Sequence, residues 1–275
     1  MGPHAVRAPA VAGFFYPDDP ALLRAVVEDF LIEAAPPPLP GRPKALIAPH
    51  AGYIHSGPVA ARAYRALADT APDVRRVVLV GPAHFVAFHG IAVPRVAAMA
   101  SPLGEIAIDQ AGLAAIRDLP QVVESDGPHL EEHALEVHLP FLQTVLERFT
   151  VVPLLVGEAR PAAVAEVLGR LWNGPRTLIV VSSDLSHYHP YDEARHRDRR
   201  TAAAIEAFAD EAIGPEDACG CVAIAGLLIE ARARGLHIVR LDLRTSGDTS
   251  GERHRVVGYG AWALCERPDA PSGRR

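Results

Sequence analysis

The sequence has little cysteine and no excess of positive charge. Of its 275 residues only Cys219, Cys221 and Cys265 are cysteines, and none of them forms the C-x-x-C pair of a zinc ribbon or a thioredoxin-like redox site. The formal net charge of -6, from 33 acidic and 27 basic side chains, lacks the basic footprint that binds a phosphate backbone. We therefore expect no disulfide framework and no nucleic-acid partner.

Long apolar runs are also missing. No stretch approaches the roughly 18 apolar residues of a membrane span, and the amino terminus lacks the charged, apolar and small-residue order of a signal peptide. We expect no membrane partner and a cytoplasmic location. With 49% hydrophobic residues the chain can bury a large core, so we predict one domain over residues 1–265. The polar residues 266–275, which include Pro and Gly, are predicted to form a disordered tail.

The apolar patterning predicts an α/β fold. Short continuous apolar runs, typical of buried strands, alternate with longer amphipathic segments, typical of helices. Strands are predicted at 44–48, 76–80, 91–96, 151–156, 177–181, 238–243 and 256–264, and helices at 21–34, 58–68, 131–149, 161–172, 191–209 and 219–234. Such alternation places helices on both faces of a sheet. We therefore predict a three-layer α/β/α fold with a largely parallel or mixed central sheet.

A histidine follows three of the predicted strands after a short turn. These residues are His50, His84 and His187. If the strands are parallel, their carboxyl ends meet at the edge where open α/β sheets bind ligands. Neutral imidazole is the commonest protein ligand for Zn, Fe and Cu, although a single loop histidine more often only makes a hydrogen bond. Three histidines in equivalent positions predict a metal or acid–base site.

Cys219 and Asp184 are further candidates for this edge. Cys219 stands at the start of the predicted helix 219–234, where the partial positive charge of the helix terminus would make the thiolate easier to reach. It is either a metal ligand or a buried cysteine that acts as a small hydrophobe. Asp184, three residues before His187, either orients an imidazole or caps a turn.

The segment from His129 to His138 forms another cluster of polar residues. Helical spacing brings His129 and His133 onto one face and places Glu136 beside His133, and these residues would form a hydrogen-bonded network that lines the pocket. The string from His129 to His133 also matches H-x-x-E-H, the inverted zinc-peptidase signature, but only three positions are specified. A solvated helix face is the alternative for both histidines.

An ordered series of motifs resembles the Memo family. The motifs run from about residue 6 to about residue 264 and read VRAPAVAGFFYP, APHAGY, SG, VGPAH, PLG, EHALEVHLPF, VSSDLSH, ACG and VGY. In bacteria and archaea such proteins are known as protein B of the AmmeMemoRadiSam system, named with an AMMECR-type protein and a radical SAM protein. The Memo fold is similar to the LigB-like fold of class III extradiol dioxygenases, which use non-haem iron.

The resemblance implies which residues form the metal site. It implies that His50, His84 and Cys219 face a metal ion, and that His187 is an acid–base residue with Asp184 nearby. The extradiol dioxygenases complete their iron site with a glutamate, and Cys219 takes the corresponding position here. We expect Fe(II) as the bound metal. Because thiolate is softer than carboxylate, Cu and Zn are the competing ions.

The resemblance also extends the site beyond the metal. Phe15 falls where Memo proteins place an aromatic residue at the pocket, and we expect it to bind substrate together with Tyr53 of the APHAGY motif. His133, from the EHALEVHLPF motif, completes the predicted catalytic set with His187 and Asp184.

Three hypotheses of function follow. The first is a Memo-like metal-binding protein with one non-haem Fe(II), an oxidoreductase for a small phenolic or other organic substrate in which His187 acts as general base. The second is a non-catalytic binding protein whose partners are the AMMECR-type and radical SAM proteins, although the histidine-bearing motifs contain no Arg or Lys for a phosphate. The third is zinc-dependent hydrolysis, at the strand ends or at the string 129–133.

Overall fold

The computed structural model of the protein describes residues 5–172 and 174–266. The helices are α1 (Pro20–Glu33), α2 (Tyr53–Arg65), α3 (Gln110–Ala114), α4 (Gly127–Leu130), α5 (Leu139–Val145), α6 (Pro161–Leu171), α7 (Tyr191–Glu206), α8 (Cys221–Ala233) and α9 (Ser246–Thr249). The strands are β1 (Val6–Arg7), β2 (Pro43–Ala48), β3 (Arg76–Pro82), β4 (Ile91–Val93), β5 (Ala98–Ser101), β6 (Gly104–Ala107), β7 (Val122–Glu124), β8 (Thr150–Val156), β9 (Thr177–Ser182), β10 (His187–His189), β11 (His237–Thr245) and β12 (Val256–Cys265). The predicted tail lies outside the described residues, apart from Glu266, and the single domain stays a prediction.

Nine strands of the described chain form one mixed sheet. Their order is β10, β12, β2, β9, β3, β8, β4 and β7, with β11 paired to β12. The centre is parallel, because β9 pairs with both β2 and β3, and β3 pairs with β8. Every residue of β2 and β9 is buried, as expected for strands that are covered on both faces. Strands β12 and β4 add antiparallel pairs at the two sides of this centre.

Helices cover the sheet on both faces. Helices α1, α2 and α5 pack on one another, and α2 contacts β2 and β12. Helices α6 and α8 pack on each other, and α8 contacts β3 and β9. The predicted three-layer α/β/α architecture is confirmed, with a sheet that is parallel at its centre and mixed overall. In residues 5–172 and 174–266, no helix has both the length and the apolar character to cross a membrane.

One predicted helix, 131–149, is broken into pieces. Helix α4 ends at Leu130, and helical structure resumes only with a short 3-10 helix (Glu136–His138) that leads into α5. Between them the carboxylate of Glu132 accepts a hydrogen bond from the backbone amide of Ala134 at 2.9 Å, and its carbonyl accepts one from Arg7. Backbone groups that bond to side chains leave the helical ladder. Helical spacing therefore does not describe this loop.

Glu136 anchors the amino-terminal segment instead of lying in a histidine network. It is fully buried, and its carboxylate accepts hydrogen bonds from Arg7, from the hydroxyl of Tyr16 and from the backbone amides of Ala10 and Val11. Arg7 also donates to two backbone carbonyls, that of His129 in α4 and that of Glu132 in the loop after α4. A buried ion pair needs this many partners to offset its desolvation. The network holds the segment before α1 against the loop between α4 and α5.

Gly226 allows α8 to approach α6 closely. A Cβ at this position would lie 2.6 Å from the Cβ of Val164. The substitution Gly226→Ala should therefore lower the free energy of unfolding by about 1–3 kcal/mol, the usual cost of overpacking a core. Chemical denaturation followed by circular dichroism measures this change.

Gly169→Ala is the matched control at the same helix pair. Its Cβ would meet only the carboxylate end of Glu230, at 3.2 Å, which can swing away. Because alanine favours a helix over glycine, this variant should be neutral or more stable by up to about 1 kcal/mol. Equal losses of stability in the two variants would contradict the close approach at Gly226.

Candidate metal centre

The three strand-end histidines meet at the carboxyl edge of the parallel strands. His50 follows β2, His84 follows β3, and His187 opens β10 after the turn from β9. All three line one pocket of about 650 Å³. The shared edge results from the parallel pairing of β2, β9 and β3, since parallel strands all end on the same side of a sheet.

The tightest group of metal donors consists of His50, His84 and His133. One donor atom from each residue lies within 4.8 Å of the others. The ring centroid of His50 lies 5.1 Å from that of His84 and 5.4 Å from that of His133, and the rings of His84 and His133 stack at 4.7 Å. The sequence prediction gave His133 a catalytic role, and the structure places it among the three histidines that could hold a metal ion.

The chemistry of this donor set fits a metal ion. Burial lowers the pKa of His50 well below its ordinary value and the pKa of His133 to about 4, so both imidazoles are neutral at pH 7 and keep a free electron pair. The Nδ1 atom of His133 is buried and makes no hydrogen bond within the described part of the chain, although Oε1 of Glu132 lies 3.3 Å away. Neutral imidazoles suit Zn, Fe and Cu. The cluster can therefore hold one ion of this kind.

The carboxylate of Glu132 lies against His84 and His133 and orients His84. Its Oε1 accepts a hydrogen bond from Nδ1 of His84 at 2.9 Å, and its Oε2 accepts one from the backbone amide of His84 at 2.6 Å. The same Oε1 lies 3.3 Å from Nδ1 of His133. Burial alone would raise the pKa of Glu132, but the hydrogen bonds from His84 and Ala134 outweigh it and lower that pKa. Glu132 is therefore an ionised acceptor that fixes the ring of His84.

Cys219 lies beside His50, outside the group of three histidines whose donor atoms all lie within 4.8 Å of one another. Its Sγ is 3.4 Å from Nε2 of His50 and accepts a hydrogen bond from the backbone amide of Asp184 at 3.3 Å. Burial, reinforced by the charge of Asp184, raises the pKa of the Cys219 thiol to about 12. The expectation of an easily formed thiolate is wrong, because α8 begins only at Cys221 and desolvation outweighs the helix terminus.

Gly220 allows the thiol to reach this position. A Cβ on Gly220 would lie 2.6 Å from the backbone oxygen of Ser182 and 2.7 Å from the Cβ of Ser183. Any larger residue would push the turn away from the end of β9. The order Cys-Gly-Cys therefore has a steric reason: the glycine brings Cys219 against the strand end that carries the site.

Asp184 holds the backbone near the histidines. Its Oδ1 accepts a hydrogen bond from the backbone amide of His50 at 2.8 Å, and burial raises its pKa to about 7. It also lines the pocket with His187, whose pKa burial lowers below its ordinary value. His187 is therefore neutral at pH 7 and able to accept a proton. The structure brings both predicted catalytic residues to the pocket, with Asp184 bonded to the backbone of His50 rather than to an imidazole.

The two predicted substrate residues lie in different environments. Phe15 lines the pocket, with its ring centroid 4.8 Å from that of His133. Tyr53 lies in the core with 3% of its surface exposed, and its hydroxyl donates to the carbonyl of Val137 at 2.8 Å. The structure therefore places Phe15, and not Tyr53, where a bound molecule would touch it.

His129 lies apart from the cluster. It is buried, and its Nε2 donates to the carbonyl of Ala92 at 3.1 Å. The three-histidine group includes His133 but not His129. Of the zinc-peptidase string, His133 and the neighbouring Glu132 therefore belong to the site, and His129 does not.

The pocket also contains residues that the sequence did not single out. Arg255, from the loop before β12, lies over the ring of Tyr188 with its guanidinium carbon 4.9 Å from the centroid. Phe14, Ile54 and Tyr188 add exposed apolar surface to the pocket wall. An exposed arginine in a loop gives no sequence signal, so only the fold reveals it. Glu132 did have a signal, since it stands next to His133 in the EHALEVHLPF motif.

Comparisons with known proteins point to one family. A family model described as "Memo-like protein" matches residues 7–263. A MEMO1 family protein of Methanopyrus kandleri is 38% identical, with 93% of this chain and 97% of that protein covered. MEMO1 family proteins of Methanothermobacter thermautotrophicus and Aquifex aeolicus are 36% and 35% identical, each over 92% of this chain and over 98% and 97% of their own lengths.

A solved structure supports the fold independently. The crystal structure of an uncharacterized protein from Escherichia coli K12 matches with a TM-score of 0.51 and 15% identity, and covers 81% of this chain and 100% of that chain. At this identity the likeness shows a shared fold alone. The family model and the archaeal and bacterial relatives both extend over almost all of the sequence, and the chain therefore belongs to the Memo family.

Proposed function

We propose that this Memo family protein is a metal-dependent oxidoreductase that acts on a small phenolic or similar organic substrate. It would hold one metal ion, with Fe(II) as the expected ion and Cu or Zn as the alternatives. Three imidazoles that converge at a pocket of about 650 Å³ carry this proposal. The similarity of the Memo fold to class III extradiol dioxygenases supports iron and a phenolic substrate. Phe15 in the pocket wall supports an aromatic ligand, because aromatic rings favour contacts with one another.

The side chains of the pocket have distinct tasks in this proposal. The ion, when bound, would supply a Lewis acid and a redox centre. His187 is neutral near pH 7 and would accept the hydroxyl proton of the substrate, the role that suits an imidazole. Asp184, with a pKa of about 7, keeps the turn of His50 in place beside it. Glu132 holds the ring of His84.

Cys219 is proposed as a fourth donor to the same ion. The 3.4 Å between its Sγ and Nε2 of His50 matches the spacing of two donors on one tetrahedral ion, given metal bonds of about 2.3 Å to sulfur and about 2.0 Å to nitrogen. A bound cation deprotonates a coordinating thiol outright, so the high pKa of Cys219 does not oppose ligation. The set then combines the three histidines with the thiol that the family resemblance implies.

Loss of His50 or His84 should abolish tight metal binding. In protein purified without oxygen, His50→Ala and His84→Ala should each weaken Fe(II) affinity more than the roughly 10–100-fold that is typical for residues that only orient a ligand. Metal analysis and competition with a chelator measure this. The control is His89→Ala, because His89 is 87% exposed and pairs with Glu158 at 3.0 Å. Unchanged binding in His50→Ala would contradict the site.

Cobalt substitution tests the thiol. If Cys219 is a ligand, the Co(II) protein should show a sulfur-to-cobalt charge-transfer absorption that disappears in Cys219→Ser. The His133→Gln variant should keep this absorption and bind cobalt more weakly, because it loses one nitrogen donor. A wild-type spectrum without the absorption would remove Cys219 from the ligand set and leave the three histidines.

His187 should be needed for turnover and not for metal binding. In His187→Ala, catechol-dependent oxygen uptake by the Fe(II) protein should fall by about 10²–10⁴-fold, the usual contribution of a general base. Bound iron should stay unchanged. The control His189→Ala removes a histidine that pairs with Glu193 at 3.3 Å. Loss of iron in His187→Ala would instead make His187 a ligand.

A non-catalytic binding protein is the second candidate, and Arg255 favours it. The histidine-bearing motifs contain no Arg or Lys, but the fold adds the guanidinium of Arg255 to the pocket, where it can attract an acidic group. Its partners would then be the AMMECR-type and radical SAM proteins that the resemblance implies. Wild-type protein that retains iron and takes up no oxygen with catechol would overturn the oxidoreductase in favour of this candidate.

A further inference from the structure

The hydroxyl of Ser182 is the centre of a buried hydrogen-bond cluster. Ser182 is the last residue of β9, and its Oγ donates to the carbonyl of Ala134 at 2.6 Å. The same Oγ lies 2.6 Å from Nδ1 of His50 and 2.8 Å from Nε2 of His138. The hydroxyl of Tyr64 lies 2.7 Å from Nδ1 of His138. All five residues are buried, so water does not supply alternative partners.

The hydrogens of this cluster can be assigned by counting. A serine hydroxyl has one hydrogen and two lone pairs, and a backbone carbonyl only accepts. The hydrogen of Ser182 therefore goes to Ala134, and Oγ must accept from both imidazoles. His50 then carries its hydrogen on Nδ1, and His138 carries its hydrogen on Nε2. The remaining nitrogen of His138 accepts from the hydroxyl of Tyr64, so every buried polar atom of the cluster has a partner.

This assignment determines which nitrogen of His50 faces the pocket. With the hydrogen on Nδ1, the free electron pair lies on Nε2, the atom that is 3.4 Å from Sγ of Cys219. Metal-binding histidines usually donate their second N–H to an oxygen, which fixes the tautomer and the ring orientation. Here that oxygen is itself fixed, because the acceptor of its hydrogen, Ala134, is the residue next to His133.

We propose that Ser182 is a positioning residue that fixes the tautomer and the ring orientation of His50, so that Nε2 is presented to the metal ion. The inference rests on the proposed function, because it assigns a task toward the same ion. One hydroxyl also joins two donor-bearing segments, the turn of His50 after β2 and the loop of His133. His138 donates to the second lone pair of this hydroxyl, and Tyr64 in turn donates to His138.

Side-chain nitrogen NMR of histidine-labelled protein tests the assignment without metal. In the full-length wild type we expect the hydrogen of His50 on Nδ1 and that of His138 on Nε2, with signals assigned through His50→Gln and His138→Gln. Finding the hydrogen of His50 on Nε2 would overturn the inference. This measurement needs no folded Ser182 variant and no bound ion, so its outcome does not depend on whether the proposed function is right.

The Ser182→Ala variant tests the consequence for metal binding. His50 should then populate both tautomers, and affinity for Fe(II) should fall by about 10–100-fold, as is typical when the partner of a ligand is lost. Ser56→Ala is the control, because Ser56 is equally buried and donates to the carbonyl of Ala51 at 2.8 Å, outside the cluster. It should keep both the tautomer and the affinity.

The possible failures can be told apart. A wild type that shows the expected tautomers and binds no metal contradicts the proposed function and leaves the tautomer assignment intact. A wild type that binds Fe(II), together with a Ser182→Ala variant that binds it as tightly and keeps the hydrogen of His50 on Nδ1, overturns the positioning role. A purely structural role would change stability in both serine variants and move neither the tautomer nor the affinity.

Discussion

The site depends on oxygen atoms that accept hydrogen bonds from the Nδ1 atoms of His50 and His84. A buried imidazole that is to bind a metal needs one nitrogen free and the other hydrogen-bonded, since an unpaired buried polar atom is costly. Ser182 serves His50, and Glu132 serves His84. Both oxygens are held by backbone groups of the loop that carries His133, through Ala134. The orientation of His50 and His84 is therefore coupled to the conformation of the loop that carries His133.

Burial acts in opposite directions on the acids and bases of this arrangement. It lowers the pKa of His50 and His133, which keeps these imidazoles neutral at pH 7, and it raises the pKa of Asp184 to about 7 and that of the Cys219 thiol to about 12. Glu132 is the exception, because its hydrogen bonds outweigh its desolvation. Neutral His50 and His133 therefore lie close to the ionised carboxylate of Glu132, a distribution that favours a cation.

The sequence was sufficient for the fold and for the meeting of the strand-end histidines, because both depend on local patterning. Continuous apolar runs mark strands buried on both faces, and residues just after parallel strands share one edge. The loop that holds His133 could not be predicted this way. Its shape depends on Arg7, which bonds to carbonyl and carboxylate groups more than a hundred positions away along the chain. Desolvation at Cys219 likewise comes from residues distant in sequence, so the local helix-terminus argument gave the wrong direction.

The chemistry of the site cannot be taken from the fold. A structural match at 15% identity shares the three-layer architecture, and one architecture hosts many reactions. What distinguishes this pocket is its side chains: three imidazoles, the thiol of Cys219 next to His50, and the carboxylate of Glu132 bonded to His84. A hydrogen-bonded carboxylate makes an imidazole more basic, whereas a thiol favours softer ions. In the proposed site, metal preference would follow from the balance between Glu132, which acts through His84, and the proposed ligand Cys219.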